Sequence, residues 1–600
     1  MNNFSLKHFF IFMLITPALI FSQAAHVQYQ PITLDFKLAP TNETAAINPF
    51  SDYRLQVEFS QGDKLYSVPG FYAADGNAAN TSALSGGVWR VIFMPPFSGE
   101  WQYQVSFKKG HNIAIEDDLY GGNPIPEHDG ASGVLQVADV PKNVNGFEKS
   151  GGLVYANSHY LHTMDGEPLL LFGTNSPENF LAYEDIDGTY SSDSSRQYLK
   201  TWTPHLQDWH DGDPTWQNGK GKGIIGALNY LASKKMNVLY AMTLNLEGDA
   251  SDVWPFISHQ RKDFKRYDVS KLAQWDIIFS HAEKLGIVLE LVLQEQENQL
   301  LLDDGYLDIE RKLYIRELIA RFGYHKNIIW NIGEENGEHD HYWPRGQDDQ
   351  QRYAKIRCIK DTDPYKRPVL MHTFSVQAER EPIAKRLLRY NKFDGLSLQA
   401  YNAADVHNDI IYWLNKSSEY AHPWLLMMDE LGPWHTGAKS DAEDPDHDQI
   451  RKDVLWGALM AGATGVQWYF GWLTPPNDLN AEDWRSRNNL WEQSAVARDF
   501  FKKFDVTKMS STDSLISAGD NYCFSLPGEV YVIYLKNGGT TKLDLREHTG
   551  EYAVNWYNPR QGGEARQGSI STVNGGQWVG IGRAPFNTNK DWTILVRKRQ

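Results

Sequence analysis

The chain has 600 residues, of which 41% are hydrophobic and 22% charged, and its formal net charge is -17 at pH 7. One hydrophobic core rarely serves so long a chain, so we expect about two to four domains. The composition is that of a globular protein and excludes a disordered or fibrous chain. Because the basic residues are scattered and the net charge would repel phosphate, the sequence predicts no nucleic-acid partner.

Residues 1–24 have the pattern of a secretory signal. Lys7 and His8 precede an apolar run over residues 9–21, and small residues follow around Ala24 and Ala25. The apolar run is short for a membrane span and lacks a flanking stop signal. We therefore expect cleavage near Ala24, no membrane attachment afterwards, and a secreted or periplasmic protein.

Two regions predict small β domains. Residues 25–140 carry short runs of alternating apolar and polar residues between Gly, Pro, Asn and Asp clusters, which is typical of a β-sandwich. A polar segment with Pro141 follows, as between many domains. Residues 510–600 show strand patterns broken by Asn-Gly and Gly-Gly turns. The clearest strand-like runs in the two regions are 53–59, 88–94, 101–107, 530–536, 552–557 and 592–597.

Residues 150–495 alternate apolar, strand-like runs with helical patterns such as 271–285 and 311–322. This alternation is typical of βα repeats around a parallel sheet. No Gly-rich phosphate motif follows the first strand, which argues against an open doubly wound sheet. The predicted fold is therefore an α/β fold, a (β/α)8 TIM barrel flanked by an N-terminal β-sandwich and a small C-terminal β domain. The eight strand candidates are 168–173, 237–244, 287–293, 327–332, 368–372, 394–399, 424–428 and 465–470.

Acidic residues follow two of these strands directly. Reacting groups of barrel enzymes lie at the C-terminal ends of the strands, around a common mouth. The fourth strand is followed by Glu334 and Glu335, and the seventh by Asp429 and Glu430. Glycosidic cleavage needs one carboxylic acid and one carboxylate on either side of the scissile bond. Separations of about 5–5.5 Å give retention and about 6.5–9.5 Å give inversion, and the sequence leaves both open.

The barrel region resembles the clan A retaining (β/α)8 glycoside hydrolases. In that clan an acid/base glutamate ends the fourth strand and a nucleophile ends the seventh, which implies these roles for Glu335 and Glu430. Within the clan the chain is most similar to the apiosidase-like group of glycosyl hydrolases. That group carries an N-terminal β domain of unknown function and a C-terminal domain named for collagen binding. Besides the two strand ends, the segments that carry the resemblance are 165–173, 462–472, 556–560 and 591–592.

One position departs from the clan pattern. Many members have Asn immediately before the acid/base glutamate, where this chain has Glu334. Matching Trp330 to the usual strand tryptophan favours Glu335 as the acid/base and leaves Glu334 to bind a substrate hydroxyl. At the seventh strand, alternation of side chains predicts that only one of Asp429 and Glu430 points into the mouth, and the clan pattern selects Glu430.

Four further residues at strand ends resemble the substrate-binding or supporting groups of such mouths. They are Asn175, His372, Tyr401 and Trp472. Ordinary packing is an equally good explanation for each one alone. At the second and third strands, the candidates for hydroxyl binding are Asn245, Gln294 and Glu295.

No metal or organic cofactor is required by this chemistry. The acidic run at 441–448 fits no calcium-loop spacing and predicts a solvated loop. Cys358 and Cys523 lie in different predicted domains and are expected to be free thiols. The sequence therefore predicts a secreted glycoside hydrolase acting on plant or algal polysaccharide or oligosaccharide. The alternatives are a non-catalytic carbohydrate-binding barrel and, more remotely, an adhesion protein held together by its β domains.

Overall fold

The computed structural model describes residues 26–118, 121–193, 198–258, 263–338, 345–433 and 435–599. The predicted signal segment lies outside these residues. A closed barrel of eight parallel strands occupies the centre of the chain, and β sheets precede and follow it. The fold class predicted from the sequence is thereby confirmed.

The barrel strands are short and fully buried, because helices cover the outer face and side chains fill the inside. The last strand pairs with the first, with Leu171 opposite Gly465, and closes the ring. The strands are β1 (Leu171–Thr174), β2 (Val238–Met242), β3 (Val288–Val292), β4 (Ile328–Asn331), β5 (Val369–His372), β6 (Gly395–Ala400), β7 (Leu425–Leu431) and β8 (Gly465–Trp468).

Helices follow the strands in turn. The side chain of Asp268 caps the second helix by accepting the Lys271 N–H at 2.9 Å, and Asp348 forms a capping box with Gln351 at the fourth. A π-helical turn, Ile450–Trp456, leads into the seventh. The helices are α1 (Lys222–Ser233), α2 (Val269–Lys284), α3 (Ile309–Phe322), α4 (Asp349–Thr362), α5 (Gln377–Leu387), α6 (Val406–Glu419), α7 (Gly457–Ala461) and α8 (Asn488–Phe501).

β7 extends beyond its predicted end and contains a bulge. Leu398 of β6 pairs with Met428, and the next residue, Gln399, pairs with Glu430, so Asp429 is an extra residue. A bulge interrupts the alternation of side chains. Both neighbouring acids consequently face the barrel interior, at different depths. Asp429 lies deep in the core and Glu430 lies at the mouth.

The N-terminal end of the barrel is covered by a small antiparallel sheet. Its strands are Leu153–Tyr155, Leu161–Thr163 and Pro168–Leu169. Leu153 and Leu161 pack against the first residues of several barrel strands, including Leu171 and Val288. The run predicted as one strand over 168–173 is thus divided between this sheet and β1.

Two sheets form the N-terminal β domain, and their inner faces meet in an aromatic core. The rings of Phe59 and Phe93 stack with centroids 4.0 Å apart, and Trp101 lies against Phe93. The strands of the domain are His26–Val27, Ile32–Asn42, Tyr53–Gln61, Lys64–Pro69, Phe71–Tyr72, Ser85–Phe93, Gly99–Lys109, Asn123–Pro124 and Ser132–Ala138.

Buried arginines of α3 hold the N-terminal domain against the barrel. Arg316 donates to the carbonyl oxygens of Gly70 at 3.0 Å and Leu55 at 3.1 Å, and Arg321 donates to that of Tyr72 at 2.8 Å. A guanidinium that donates to several backbone carbonyls fixes the relative position of the two surfaces. This β domain is therefore a rigid neighbour of the barrel flank.

The C-terminal β domain packs on the other side through a seam that includes α7 and α8. Its two sheets share a core of their own around Trp556 and Trp592. Among the described residues, no helix is long and apolar enough to cross a membrane. The strands of the domain are Ser510–Ser511, Asn521–Leu526, Val530–Leu535, Lys542–Asp544, Glu551–Tyr557, Thr572–Asn574, Trp578–Gly580 and Trp592–Lys598.

Candidate active site

Carboxylates from β4 and β7 meet at the C-terminal mouth of the barrel. Glu335 follows β4, and Glu430 lies within β7 with only 5% of its surface exposed. Gln399 of β6 donates from Nε2 to Glu430 Oε1 at 2.6 Å. The side chain of Gln399 and the charge of Glu430 both act on the pKa of Glu335, so the two glutamates face the same space.

Glu335 has the properties of a carboxyl group that retains its proton. Burial and, next, the charge of Glu430 raise its pKa well above the ordinary value. Its backbone lies in the left-handed region, with φ of 40°, a strained conformation for a residue with a Cβ. Strain of this kind costs about 1–3 kcal/mol and is found mostly at functional sites.

Glu334 lies in the same mouth but is held from a different strand. The hydroxyl of Tyr240, on β2, donates to Glu334 Oε2. Burial and the charge of Glu430 raise the pKa of Glu334 well above its usual range, while the Tyr240 hydrogen bond acts in the opposite direction. Glu334 therefore faces β2, whereas Glu335 lies towards Gln399 of β6 and Glu430 of β7.

The supporting residues predicted from the sequence occupy different environments. His372 is fully buried at the end of β5, with Nε2 3.3 Å from Glu430 Oε2. Asn175 is 1% exposed, and within the described chain neither its Oδ1 nor its Nδ2 has a hydrogen-bond partner. Tyr401 is 46% exposed and Trp472 is half-buried. Of these four side chains, only His372 makes a polar contact with a mouth glutamate among the residues described.

The side chains predicted to bind hydroxyls at the ends of β2 and β3 mostly form hydrogen bonds with neighbouring parts of the protein. Asn245 donates to Asp252 at 2.8 Å, and Gln294 accepts from Arg311 at 2.6 Å. Glu295 accepts the backbone N–H of Asp249 at 2.9 Å through Oε2. These bonds order the β2 and β3 loops that border the mouth.

Several polar residues of the mouth escaped the sequence analysis. Glu178 follows β1 in the long first loop, and its N–H donates to Asp478 Oδ1 at 3.3 Å. Burial and the charge of Glu334 raise the pKa of Glu178, and burial raises that of Asp478 to about 7. Tyr469 directly follows β8, where burial and Glu430 raise its pKa. The unusual length of the first loop was the one available signal, and it pointed to the region without selecting Glu178.

A second carboxyl pair lies in the barrel core beneath the mouth. Both oxygens of Glu290 accept amide donors, from Asn331 at 2.7 Å and from Gln467 at 2.8 Å. Its neighbour Asp429 is hydrogen-bonded to Glu290, which two carboxyl groups achieve only when one of them holds a proton. Burial and the charge of Glu290 raise the pKa of Asp429 well above the ordinary value. The pair therefore carries one shared proton and one negative charge.

The remaining polar clusters show no sign of metal ligation. Within the part of the chain that the structure describes, no group of three or more His, Cys, Asp or Glu side chains is arranged to hold a metal ion. In the acidic run at 441–448, Asp441 binds His447 Nε2 at 2.8 Å. Both cysteines are free thiols, Cys523 buried and Cys358 half-buried.

Two family models match the ends of the chain. The model described as "Domain of unknown function (DUF5060)" matches residues 26–108, and that described as "Putative collagen-binding domain of a collagenase" matches residues 513–597. No curated protein sequence matches the chain. The two β domains are thus related to known domain families.

One solved structure matches nearly the whole chain, and two others match about three quarters of it. A "putative glycoside hydrolase" from Bacteroides vulgatus ATCC 8482 is 15% identical, with a TM-score of 0.65 over 96% of this chain and 100% of its own. A family 5 glycoside hydrolase from the same organism is 15% identical, with a TM-score of 0.53 over 76% of this chain and 95% of its own. A third glycoside hydrolase is 14% identical, with a TM-score of 0.52 over 76% and 99% of the two chains. This chain therefore has the fold of these structures, a TIM barrel with accompanying β domains.

Proposed function

We propose that this protein is a glycoside hydrolase of the retaining clan A type, with Glu335 as acid/base and Glu430 as nucleophile. The observation that carries the proposal is the meeting of two glutamates at one mouth, Glu335 after β4 and Glu430 on β7, where the charge of Glu430 raises the pKa of Glu335. The descriptions of the structurally similar proteins support the reaction class. The apiosidase-like group, suggested by sequence resemblance, is our proposed placement within the clan.

We propose the retaining double displacement from the resemblance to clan A, in which the two carboxyl groups lie about 5–5.5 Å apart. In the first step, a Glu430 oxygen bonds to the anomeric carbon while the bond from that carbon to the glycosidic oxygen breaks. Glu335 donates its proton to this oxygen, and the leaving group departs as an alcohol. In the second step, water attacks that carbon, Glu335 takes the proton from the water, and the bond to Glu430 breaks.

The environments of the two glutamates suit these different roles. Glu335 retains its proton because burial and the Glu430 charge raise its pKa. Glu430 is oriented by the short hydrogen bond from Gln399, and His372 Nε2 lies 3.3 Å from its other oxygen. A carboxylate fixed by a hydrogen bond presents a defined oxygen to the anomeric carbon.

For the substrate we propose a plant or algal polysaccharide or oligosaccharide, and for the location the periplasm or the extracellular medium. The predicted signal segment and the two flanking β domains support an enzyme that meets polymers outside the cytoplasm. A non-catalytic carbohydrate-binding barrel would share the fold but would not need the proton-holding glutamate.

The test is sugar release from a panel of plant and algal polysaccharides by wild type and by Glu335→Gln, Glu430→Gln and Glu334→Gln. We expect Glu335→Gln and Glu430→Gln to lower kcat/KM at least about 10²–10⁴-fold with unchanged circular dichroism. Proton NMR identifies the anomer of the first product, which reports retention or inversion.

Glu334→Gln is the matched control in this series, since it removes an adjacent carboxyl of similar burial. We expect it to retain more activity than Glu335→Gln. If Glu334→Gln loses activity to that extent and Glu335→Gln does not, Glu334 is the acid. A wild type that cleaves nothing across a broad panel would favour the binding barrel.

A further inference from the structure

A large cavity lies between the N-terminal β domain and the flank of the barrel, outside the mouth. Its volume is about 1040 Å³, at the upper end of the range of about 300–1,000 Å³ that is usual for ligand sites, which often lie where domains meet. The barrel contributes α3, α4 and the end of the loop before α3. The β domain contributes the strands Tyr53–Gln61 and Lys64–Pro69 and residues 114–117. We call this cavity the interdomain groove.

One face of α4 forms the floor of the interdomain groove. Gln350, Ala354, Arg357 and Asp361 all line it, and their spacing of four, three and four residues places them in one row along the helix. The row is about 16 Å long, since each helical residue adds about 1.5 Å. Ala354 has only a methyl group and leaves the middle of the row open. The groove is therefore long enough for a short chain of linked units.

The walls of the groove are held in place by the contacts between the two domains. Arg316, whose guanidinium binds backbone carbonyls of the β domain, lines the groove from α3. Arg54 lines it from the β domain, is 4% exposed and has Asp118 and Glu116 as charged neighbours. A site that is already formed loses little conformational entropy when a ligand binds.

The remaining charges of the groove include one arginine without a partner. Asp117 pairs with Lys312 at 3.2 Å, and Asp361 pairs with Lys392 at 2.7 Å. Arg357 is exposed and forms no ion pair or hydrogen bond with the described residues. A guanidinium has five donors in a planar fork and binds an oxyanion such as a carboxylate through two parallel hydrogen bonds. The groove therefore offers a binding group for an anion, while its own carboxylates are compensated by cations.

An exposed aromatic ring lies at the end of the groove nearer the mouth. Tyr306 is 61% exposed, and its neighbour Gly305 accepts a hydrogen bond from Gln347 Nε2 at 2.8 Å. Gln347 in turn accepts from Asn336, the residue that follows Glu335, at 2.7 Å. The groove thus begins next to the loop that carries the proposed acid and leads away from it along α4.

The uncharged polar groups of the groove are amides and hydroxyls. Gln56 and Ser67 line it from the β domain, where they are hydrogen-bonded to each other at 2.9 Å, and Gln350 lines it from α4. Such groups both donate to and accept from sugar hydroxyls. The flat ring of Tyr306 provides an apolar face with a polar edge, which suits the carbon face of a sugar.

We propose that the interdomain groove binds a glycan chain that carries a carboxylate or sulfate group. Arg357 holds the anionic group, and Tyr306 stacks on a sugar ring nearer the mouth. The choice of a glycan rests on the proposed function, because a polymer held in the groove can extend to the mouth. The groove itself needs neither Glu335 nor Glu430. The N-terminal β domain therefore completes a binding site on the barrel flank.

The experiment is isothermal titration calorimetry with the full chain carrying Glu430→Gln, which prevents turnover. Oligogalacturonates of four to eight units test the carboxylate, sulfated carrageenan oligosaccharides of similar length test the sulfate, and cello- and xylo-oligosaccharides are the uncharged references. We expect one acidic series to bind more tightly than the uncharged ones, with an affinity that falls between about 50 and 500 mM salt. Adding Arg357→Gln should weaken this binding about tenfold and remove most of its salt dependence.

Matched variants separate the groove from the rest of the surface. Arg389→Gln removes an exposed arginine that also has no partner among the described residues but does not line the groove, and it should change nothing. Tyr306→Ala should weaken the binding of the acidic series severalfold. Tyr420→Ala, which removes another ring that is 43% exposed, should not. Ala354→Trp fills the middle of the floor and should abolish the binding.

The proposal is overturned if no acidic series binds, if uncharged chains of the same length bind as tightly, or if Arg357→Gln behaves like Arg389→Gln. Binding is measured independently of hydrolysis, so the two proposals can fail separately. A protein that binds acidic chains through Arg357 but hydrolyses no glycan would contradict only the proposed function. Hydrolysis without such binding would contradict only the groove.

Discussion

The barrel mouth and the seam with the C-terminal domain both bury carboxyl groups, but their surroundings shift the pKa values of these groups in opposite directions. At the seam, Asp591 is fully buried and is paired with Arg451 at 3.1 Å and Arg560 at 2.8 Å, with a further hydrogen bond from Tyr534 at 2.8 Å. Burial alone would raise the pKa of Asp591, but the arginines and Tyr534 hold it below the usual range. This carboxylate is ionised and fully satisfied.

At the mouth, the strongest electrostatic influences on Glu334 and Glu335 come from other carboxylates, above all Glu430. Their pKa values are raised, where that of Asp591 is lowered. Among the described residues, arginines pair with the buried carboxylate that joins two domains, whereas the strongest charges acting on the mouth glutamates are those of other carboxylates. Groups held in this unfavourable way weaken the fold, which is the usual cost of a reactive site.

The largest effect on stability should follow from breaking the seam. Arg451→Met leaves Asp591 buried with one arginine, and loss of a buried ion-pair partner costs about 3–5 kcal/mol. We expect the C-terminal domain to unfold at a clearly lower guanidinium concentration, while the mouth is unaffected. Limited proteolysis at increasing guanidinium concentration, with the cleavage sites identified by mass spectrometry, reports unfolding of the C-terminal domain.

The control for this variant is Lys508→Met. Lys508 and Asp505 form a pair at 2.8 Å that is largely exposed to solvent. Exposed pairs contribute little to stability, so the unfolding midpoint should not change. If Arg451→Met behaves like this control, the seam pair does not carry the stability assigned to it.

The carboxyl pair in the barrel core should give the next largest effect. Glu290→Leu leaves the amides of Asn331 and Gln467 and the carboxyl of Asp429 without a partner, which we expect to cost about 2–4 kcal/mol. Glu290→Gln keeps polar atoms in place and should cost clearly less. Thermal unfolding of the two variants measures the difference, and equal midpoints would show that the proton-sharing bond is unimportant.

The sequence was sufficient for the barrel because its strands are buried on both faces. Continuous apolar runs, such as 327–332 for β4, mark such strands directly and alternate with helical patterns of period 3.6. The bulge at Asp429 could not be predicted in this way, since it depends on the pairing of β7 with β6. The division of residues 168–173 between two sheets likewise depends on a partner distant in sequence.

The candidate site shows the same division. Glu335 and Glu430 follow from the rule that strand ends surround the mouth. Gln399 and Tyr240 lie within strands, where their types and spacing look like core residues. Their contacts become visible only when the ring is closed and β2, β4, β6 and β7 are placed around one axis. Glu178 was hidden in a loop whose path the sequence does not determine.

The smallest effect should come from Glu43. Its surroundings are intermediate between those of Asp591 and those of the mouth glutamates. This residue of the N-terminal domain is 4% exposed and accepts the Val269 N–H, at the start of α2, at 2.7 Å. Burial and the charge of Asp268 raise its pKa to about 8, and the opposing influence of Arg321 is weaker. Like Asp591, Glu43 is a carboxyl group buried where a β domain meets the barrel. Unlike Asp591, it forms no ion pair with an arginine among the described residues.

The sign of its pH dependence follows from proton binding. Between the unfolded pKa, about 4.5, and the folded pKa, about 8, the folded state holds a proton that the unfolded state releases, so stability falls as pH rises. The slope is at most about 1.4 kcal/mol per pH unit. Glu43→Gln keeps the acceptor for Val269 and removes the titration. We therefore expect similar midpoints at pH 4.5 and a more stable variant at pH 8, with a difference that widens as the pH rises between these values. A variant that is no more stable than wild type at pH 8 would show that Glu43 is ionised in the folded protein, as Asp591 is.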